Sequence, residues 1–307
     1  MFELAREFIE RGQPFIELKR HFQAGTNISR QGEDARKGTA LVEKGRKIDA
    51  GVKALLATFG YAKVPVFKKP RVGVFATGTE LLDVDQPLEP GKIRNSNSYM
   101  VMAQLKAIGA EPVYLGKLVD DLDRCYQAIA AALSQVDLLV TTGGVSVGDY
   151  DYLPAIYKKL GAKVLFNKIA MRPGSVTTVA ELNGQLLFGL SGNPSACFVG
   201  CELFVRPVIL SGFENGRPHL QKEQAKLMED FPKPNPFTRF VRSRLSISDG
   251  RLQVRPTGLD KSGVVTSLAD ANALLMLPGG TRGFQQNDEV DVLLLNGEGA
   301  EWPWGSA

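Results

Sequence analysis

The chain has 307 residues, with 44% hydrophobic and 23% charged side chains and a formal net charge of +4. That length allows two or three domains with a sizeable core, and the mild positive charge suits anionic small molecules while falling far short of a nucleic-acid footprint. Three cysteines (Cys125, Cys197, Cys201) and two isolated histidines (His21, His219) argue against a disulfide framework, a His-rich zinc site and a Ser-His-Asp triad.

The N-terminal stretch MFELAREFIERG carries charges throughout and lacks a signal-peptide core. No apolar run is expected to approach the length of a membrane span, so a cytoplasmic location is expected. FIELKRHF (15–22) reads as a strand, and the Gly-rich, charged GTNISRQGEDARKGTALVEKG as turns and short strands. DAGVKALLATFG (49–60) has apolar residues at helical spacing, with Asp49 placed to cap it and Gly60 to end it. KVPVFKKP closes a small mixed α+β unit over residues 1–69.

From residue 70 to 213 strand and helix patterns alternate. RVGVFATG, EPVYLGKLVDD, DLLVTTGG, KVLFNKIAM, VTTVAEL and QLLFGLSG read as strands. NSYMVMAQLKAIG, LDRCYQAIAAALSQ, YDYLPAIYKKLG and the long apolar NPSACFVGCELFVRPVIL read as helices. Such alternation predicts a doubly wound α/β fold around a mostly parallel sheet. Cys197 and Cys201, four apart on the last helix, read as small core residues more readily than as a metal pair. Residues 214–307 predict a small all-β domain: a polar, Pro-rich connection over 217–237, a hairpin around Asp249-Gly250, then the strands ALLML and DEVDVLLL.

Ligands of open α/β sheets bind beyond the carboxyl ends of the strands. Four segments there are rich in Gly, Ser and Thr: ATGTELL (76–82), TTGGVSVGDYDY (141–152), KIAMRPGSV (168–176) and GLSGNPSA (189–196). Glycines let backbone approach a ligand, and amides at a following helix favour anions. Taken singly, each serves equally as a tight turn or a helix start; together they converge on one edge. No nicotinamide fingerprint or Walker A lysine is present. Glu80, Asp120, Asp121, Asp149 and Asp151 are carboxylates available at that edge for a divalent cation beside a phosphate, although Asp121 and Asp151 each read more simply as helix caps. Lys168 and Arg172, four apart on one expected strand, share a face and can meet an oxyanion, or simply be solvated.

These motifs, with NISRQGEDARKG upstream and SLADANALLMLPGG downstream, resemble the molybdopterin molybdenumtransferase family (the MoeA-type or gephyrin E-domain proteins) over nearly the whole chain. The resemblance implies a molybdopterin-binding-like α/β domain and insertion of molybdate into adenylylated molybdopterin, with release of AMP and dependence on Mg²⁺. It implies Glu80, Asp121, Asp151 and Lys168 as catalytic residues, the three carboxylates also handling the metal. Substrate would lie against Thr77, Gly78, Gly143, Gly144, Ser146, Gly148, Asn193 and Ser195, with Asp34 contributed by the neighbouring domain. Molybdate would lie against Arg172, Ser175, Arg239 and Ser267. A homodimer and a molybdopterin adenylyltransferase partner are further implications. The chain departs from the family pattern at Thr79, where an acidic or amide residue is usual, and at Ser175, where a lysine is usual. It also starts partway through that pattern, so an N-terminally incomplete member is expected, and with it the alternative of a non-catalytic pterin-binding or scaffold module.

Overall fold

The computed structural model describes residues 5–8, 15–18, 23–26, 28–119, 121–144, 152–297 and 299–303. Asp120, Ser146, Gly148, Asp149, Asp151 and His21 lie outside the described residues. Two compact units emerge, Met1–Leu55 and Leu56–Ala307.

In the first unit β1 (Ala5–Phe8) pairs antiparallel with β2 (Phe15–Leu18), running from Ala5↔Leu18 to Phe8↔Phe15. The described residues between 23 and 48 form turns only, where short strands were expected as well. Their glycines at 25, 32, 38 and 45 all take positive φ, and no alternating apolar run is present to support a ladder. The boundary between units falls inside α1 (Ala50–Thr58). Asp49 caps that helix, its Oδ1 accepting from the Val52 amide at 2.9 Å, and Gly60 follows it at φ 79°.

The second unit begins with β3 (Arg71–Thr77), then a two-stranded parallel pair of β4 (Leu81–Leu82) and β5 (Ile93–Arg94). Next come α2 (Asn97–Ala107), β6 (Glu111–Leu118), α3 (Leu122–Leu133), β7 (Leu138–Thr142), α4 (Tyr152–Lys159) and β8 (Lys163–Phe166). After β9 (Met171–Arg172), β10 (Thr178–Leu182) and β11 (Gln185–Leu190) complete a sheet of order β6-β3-β7-β11-β10-β8. Neighbours from β6 to β11 are parallel, and β10 alone runs antiparallel to both of its neighbours. Alternate residues of β3 enter opposite cores. Val72 and Val74 pack with Val101 and Leu105 of α2, while Phe75 packs with Ile129 of α3 and Ile156 of α4. Burial on both faces is why RVGVFA is a continuous apolar run.

The long apolar helix is α5 (Pro194–Gly200), a π turn (Cys201–Val205) and α6 (Arg206–Gly212) in succession. Pro207 lacks an N–H and would crowd the carbonyl four residues back. The widened turn absorbs this, and the Arg206 amide bonds to the Cys201 carbonyl five residues earlier. Contrary to the sequence expectation, Pro194–Gly212 is long and apolar enough by length and composition to cross a bilayer. It is mostly buried and supplies Cys197, Cys201, Val205 and Ile209 to the core, as a soluble core helix would.

The remaining strands are β12 (Gln221–Leu227), β13 (Thr238–Ser248), β14 (Arg251–Pro256), β15 (Ala273–Leu277) and β16 (Glu289–Leu294), with the short α7 (Thr266–Ala269) before β15. Their order, β14-β12-β16-β15-β13 with β13 pairing back to β14, closes a small barrel. The β13–β14 hairpin turns through Asp249 (φ 50°) and Gly250 (φ 72°), the left-handed pair that a two-residue turn requires. Residues 217–237, expected as connection only, contain β12. That strand has just two inward apolar residues, Ala225 and Leu227, and it forms because β16 pairs along its length.

One expected strand divides. KVLFNKIAM leaves the central sheet after Phe166, and Met171–Arg172 joins β13 of the barrel in parallel, with Arg172↔Arg239 in register. Lys168 lies in the connecting segment, so the same-face placement with Arg172 does not hold. Met171, Val199, Leu203, Phe240, Leu274 and Leu293 form the apolar joint between sheet and barrel.

Candidate functional site at the carboxyl edge of the sheet

Because β3, β7 and β11 are adjacent and parallel, the segments after Thr77, Thr142 and Leu190 leave at one edge. They are packed backbone to backbone. The Gly143 amide donates to the Leu190 carbonyl at 2.8 Å, and Thr77 Oγ1 donates to the Thr142 carbonyl at 3.1 Å. A Cβ at Gly143 would stand 2.6 Å from Thr77 Oγ1, and one at Gly144 would stand 3.0 Å from it. Both glycines take positive φ, 94° and 69°. The pair therefore forms bare backbone that no side chain can replace without displacing Thr77.

Gly78 (φ 134°) continues β3, and the Glu80 carboxylate folds back over it: a Cβ there would lie 2.6 Å from the Glu80 carboxyl carbon. The carboxylate itself is exposed at the edge. Lys92 Nζ holds this loop through the Thr79 carbonyl at 2.8 Å, which needs no side-chain chemistry at residue 79. Asp121, expected among the catalytic and metal-handling carboxylates, caps α3 through its Oδ1 and the Arg124 amide at 2.9 Å.

The Gly-Asn-Pro turn after β11 is gripped from several sides. Asn97, at the start of α2, donates its Nδ2 to the Gly192 carbonyl at 2.8 Å. Asn193 precedes α5 without using its side chain as a cap. Ser195, expected against substrate, is fully buried; its hydroxyl donates to the Val264 carbonyl at 2.8 Å and its amide to the Ser262 carbonyl at 3.0 Å. It fastens the barrel segment 262–264 to the start of α5. The turn holding Arg172 and Ser175 packs on the same helix start, a Cβ at Gly174 falling 3.5 Å from the Ala196 carbonyl.

The residues expected to hold molybdate fare differently. Arg172 is exposed, its guanidinium 5.9 Å from the Phe237 ring centroid. Arg239 is half-buried and bonded to Asn235 Oδ1 at 2.5 Å and Asp260 Oδ2 at 2.8 Å. Ser267 is buried and accepts from Arg242 Nε at 3.2 Å. Burial pulls the Arg242 guanidinium below its ordinary value, and Asp260 opposes that shift. The Asp260 carboxylate, 9% exposed, also meets Lys233 at 3.2 Å. Asn97, Asn235, Arg242 and Asp260 were not foreseen as parts of the site. The Asn-Ser-Asn before the helical pattern was the one signal for Asn97, and it reads equally as a helix start.

Lys168 is exposed, and Asp34 is exposed in the turn-rich part of the first unit. Ser146, Gly148 and Asp151 lie outside the described residues. Among the described residues no three Asp, Glu, His or Cys side chains gather to hold a metal ion. With Asp121 engaged as a cap, the described donors do not by themselves fit a magnesium site.

Residues 73–211 match the probable molybdopterin binding domain, and residues 224–295 match the MoeA C-terminal region, domain IV. The molybdopterin molybdenumtransferase of Bacillus subtilis (strain 168) is 62% identical over 305 residues, which is 99% of this chain and 71% of that protein. The enzyme of the same name from Staphylococcus aureus (strain COL) is 50% identical over 286 residues, 92% of this chain and 68% of the relative. Among solved structures, a molybdopterin biosynthesis MoeA protein from Pyrococcus horikoshii superposes with a TM-score of 0.78 at 28% identity, covering 96% of this chain and 71% of that one. A molybdenum cofactor biosynthesis protein from Pyrococcus furiosus gives a TM-score of 0.64 at 29% identity, covering 86% and 82%. Aligned almost end to end with relatives at 62% and 50% identity, and matched in both sheet and barrel, the chain belongs to the molybdopterin molybdenumtransferase family, transferases of molybdenum cofactor biosynthesis.

Proposed function

We propose that the chain transfers molybdenum from molybdate to adenylylated molybdopterin, with release of AMP, at the carboxyl edge of the central sheet. The observation that carries this reading is the contact of the Gly143-Gly144 backbone with Thr77, beside a Gly-Asn-Pro turn to which the Arg172 turn is packed. An anionic ligand is served there in two ways. Bare backbone admits a phosphate closely, and a guanidinium meets a dianionic oxyanion with charge-assisted hydrogen bonds.

In this reading Thr77, Gly78, Gly143, Gly144 and Asn193 line the pterin phosphate cleft, together with Ser146 and Gly148. Arg172 is the exposed cation for molybdate and Arg239 its half-buried neighbour, while Ser195 and Ser267 hold the walls together. Glu80 and Asp151 act on the phosphoanhydride, with Lys168 as a further contributor. Residues 70–213 form the pterin-binding part and 214–307 the part that completes the oxyanion end, with 1–69 preceding both. Mg²⁺ belongs to this reading only through the general chemistry of an anhydride beside carboxylates. A homodimer, a molybdopterin adenylyltransferase partner and a cytoplasmic setting belong to the same reading.

The test follows AMP release from adenylylated molybdopterin with and without molybdate, and with and without Mg²⁺, beside Glu80→Gln and Asp151→Asn. Molybdate-dependent AMP release that both substitutions abolish supports the transferase reading. Saturable binding without AMP release replaces it with a pterin-binding module, and absence of binding removes the site.

A further inference from the structure

We infer that Asn97 is a positioning residue for the substrate cleft, setting the Gly192–Asn193 peptide and, through it, the Gly143 loop. This rests on the reading of the carboxyl edge as the pterin site.

Asn97 is 9% exposed, in the first turn of α2. Its Nδ2 reaches across 95 residues of sequence to the Gly192 carbonyl at 2.8 Å. A carbonyl accepts only, so the amide orientation is fixed: nitrogen toward Gly192, oxygen inward. That Oδ1 is buried with no hydrogen-bond partner among the described residues, as is the neighbouring Ser98 Oγ. A buried acceptor left unpaired is costly. An apolar side chain of the same size would avoid the cost, so architecture alone does not call for asparagine here. What asparagine adds is the single bond to Gly192.

That bond bears on two of the converging loops. Gly192 lies back to back with Gly143, a Cβ on the former falling 3.5 Å from the Cα of the latter. The Gly143 amide is in turn bonded to the Leu190 carbonyl. Fixing the Gly192 carbonyl thus fixes the peptide that presents Asn193 and the face against which Gly143 rests. Further along α2, Gln104 Nε2 donates to the Phe198 carbonyl at 3.2 Å and to Glu202 Oε1 at 2.8 Å. It ties the same two helices together two turns from the edge and is a control for architecture alone.

The experiment compares Asn97→Leu, Gln104→Ala and Asn193→Ala in molybdate-dependent AMP release and in thermal unfolding. Asn97→Leu is expected to raise the KM for adenylylated molybdopterin about fivefold, the worth of one hydrogen bond, with kcat nearly kept and Tm unchanged or raised. Gln104→Ala should lower Tm and leave KM alone. If Asn97→Leu keeps the wild-type KM while Asn193→Ala raises it, the positioning role is overturned and the site stands. If Asn193→Ala leaves KM unchanged as well, the site reading fails and the inference with it. Should the leucine variant not fold, Asn97→Ser is too short to reach Gly192 and gives the same comparison.

Discussion

Arg172 and Arg239 are direct register partners on the parallel strands β9 and β13, so two cationic side chains stand beside each other on neighbouring strands. Like charges so placed repel. Here Asp260 and Asn235 hold Arg239 at 2.8 and 2.5 Å, while Arg172 is exposed beside the Phe237 ring. The arrangement leaves Arg172 as the guanidinium to which an incoming dianion has access. Arg172→Ala is expected to raise the molybdate concentration for half-maximal AMP release roughly tenfold or more, the loss of a charge-assisted hydrogen bond of about 1.5–3 kcal/mol. Tm should change little, because the side chain is solvated. An unchanged molybdate dependence would remove Arg172 from the site.

Gly143→Ala places a methyl group 2.6 Å from Thr77 Oγ1 and 2.7 Å from its carbonyl, at a φ of 94°. Backbone strain and overpacking together should cost roughly 2–4 kcal/mol of stability, and AMP release should fall with it. Urea unfolding measures the first and the transfer assay the second.

Asp121 allows a cap to be separated from chemistry. Asparagine caps as well as aspartate does, whereas alanine does not. Asp121→Asn should therefore retain both stability and turnover, and Asp121→Ala should lose about 1 kcal/mol of stability. Turnover lost in the asparagine variant at unchanged Tm would instead show a role for the carboxylate charge.

Glu202, in the π turn, is buried beside Gln104 and Arg206. Burial raises its carboxyl above the ordinary 4.5, with Gln104 and Arg206 opposing the shift. The folded state therefore holds this proton to higher pH than the unfolded chain. The resulting stabilisation is full below the unfolded value and is lost as pH rises through the folded one. Glu202→Gln removes that slope while keeping an acceptor for Gln104. The difference in Tm, variant minus wild type, should become more positive between about pH 4 and about pH 7. A difference that is flat or falls over this range would show that the Arg206 pairing outweighs desolvation.

The legible parts of the fold were those where one local signal and one tertiary environment agree. The hairpin at Asp249-Gly250, the cap at Asp49 and the continuous apolar run of β3, with cores on both faces, are of this kind. β12 was missed because its strand character comes from pairing with β16 and not from its seven mostly polar residues. The break between Phe166 and Met171 was missed because an apolar run does not state which sheet each part joins. At the site, the glycines of 143–144 were legible as bare backbone. By contrast, the burial of Ser195 and Ser267 depends on partners 69 and 25 residues away, distances over which sequence pattern carries no contact information.

The two residues of β9 have a consequence for anyone who would divide this protein. The sheet and the barrel look separable at the junction following Phe213, yet Met171 and Arg172 are stitched into the barrel from within the sheet's own stretch of chain. Cutting at that junction would strip β13 of a neighbour at Thr238–Arg239 and uncover Phe240, Leu274 and Leu293 on one piece and Met171, Val199 and Leu203 on the other. Each half would be left with an unpaired edge and a greasy scar, the two features that lead isolated fragments to aggregate. Sheet and barrel accordingly fall within one compact unit, Leu56–Ala307, and separating them is expected to lower the solubility of both pieces.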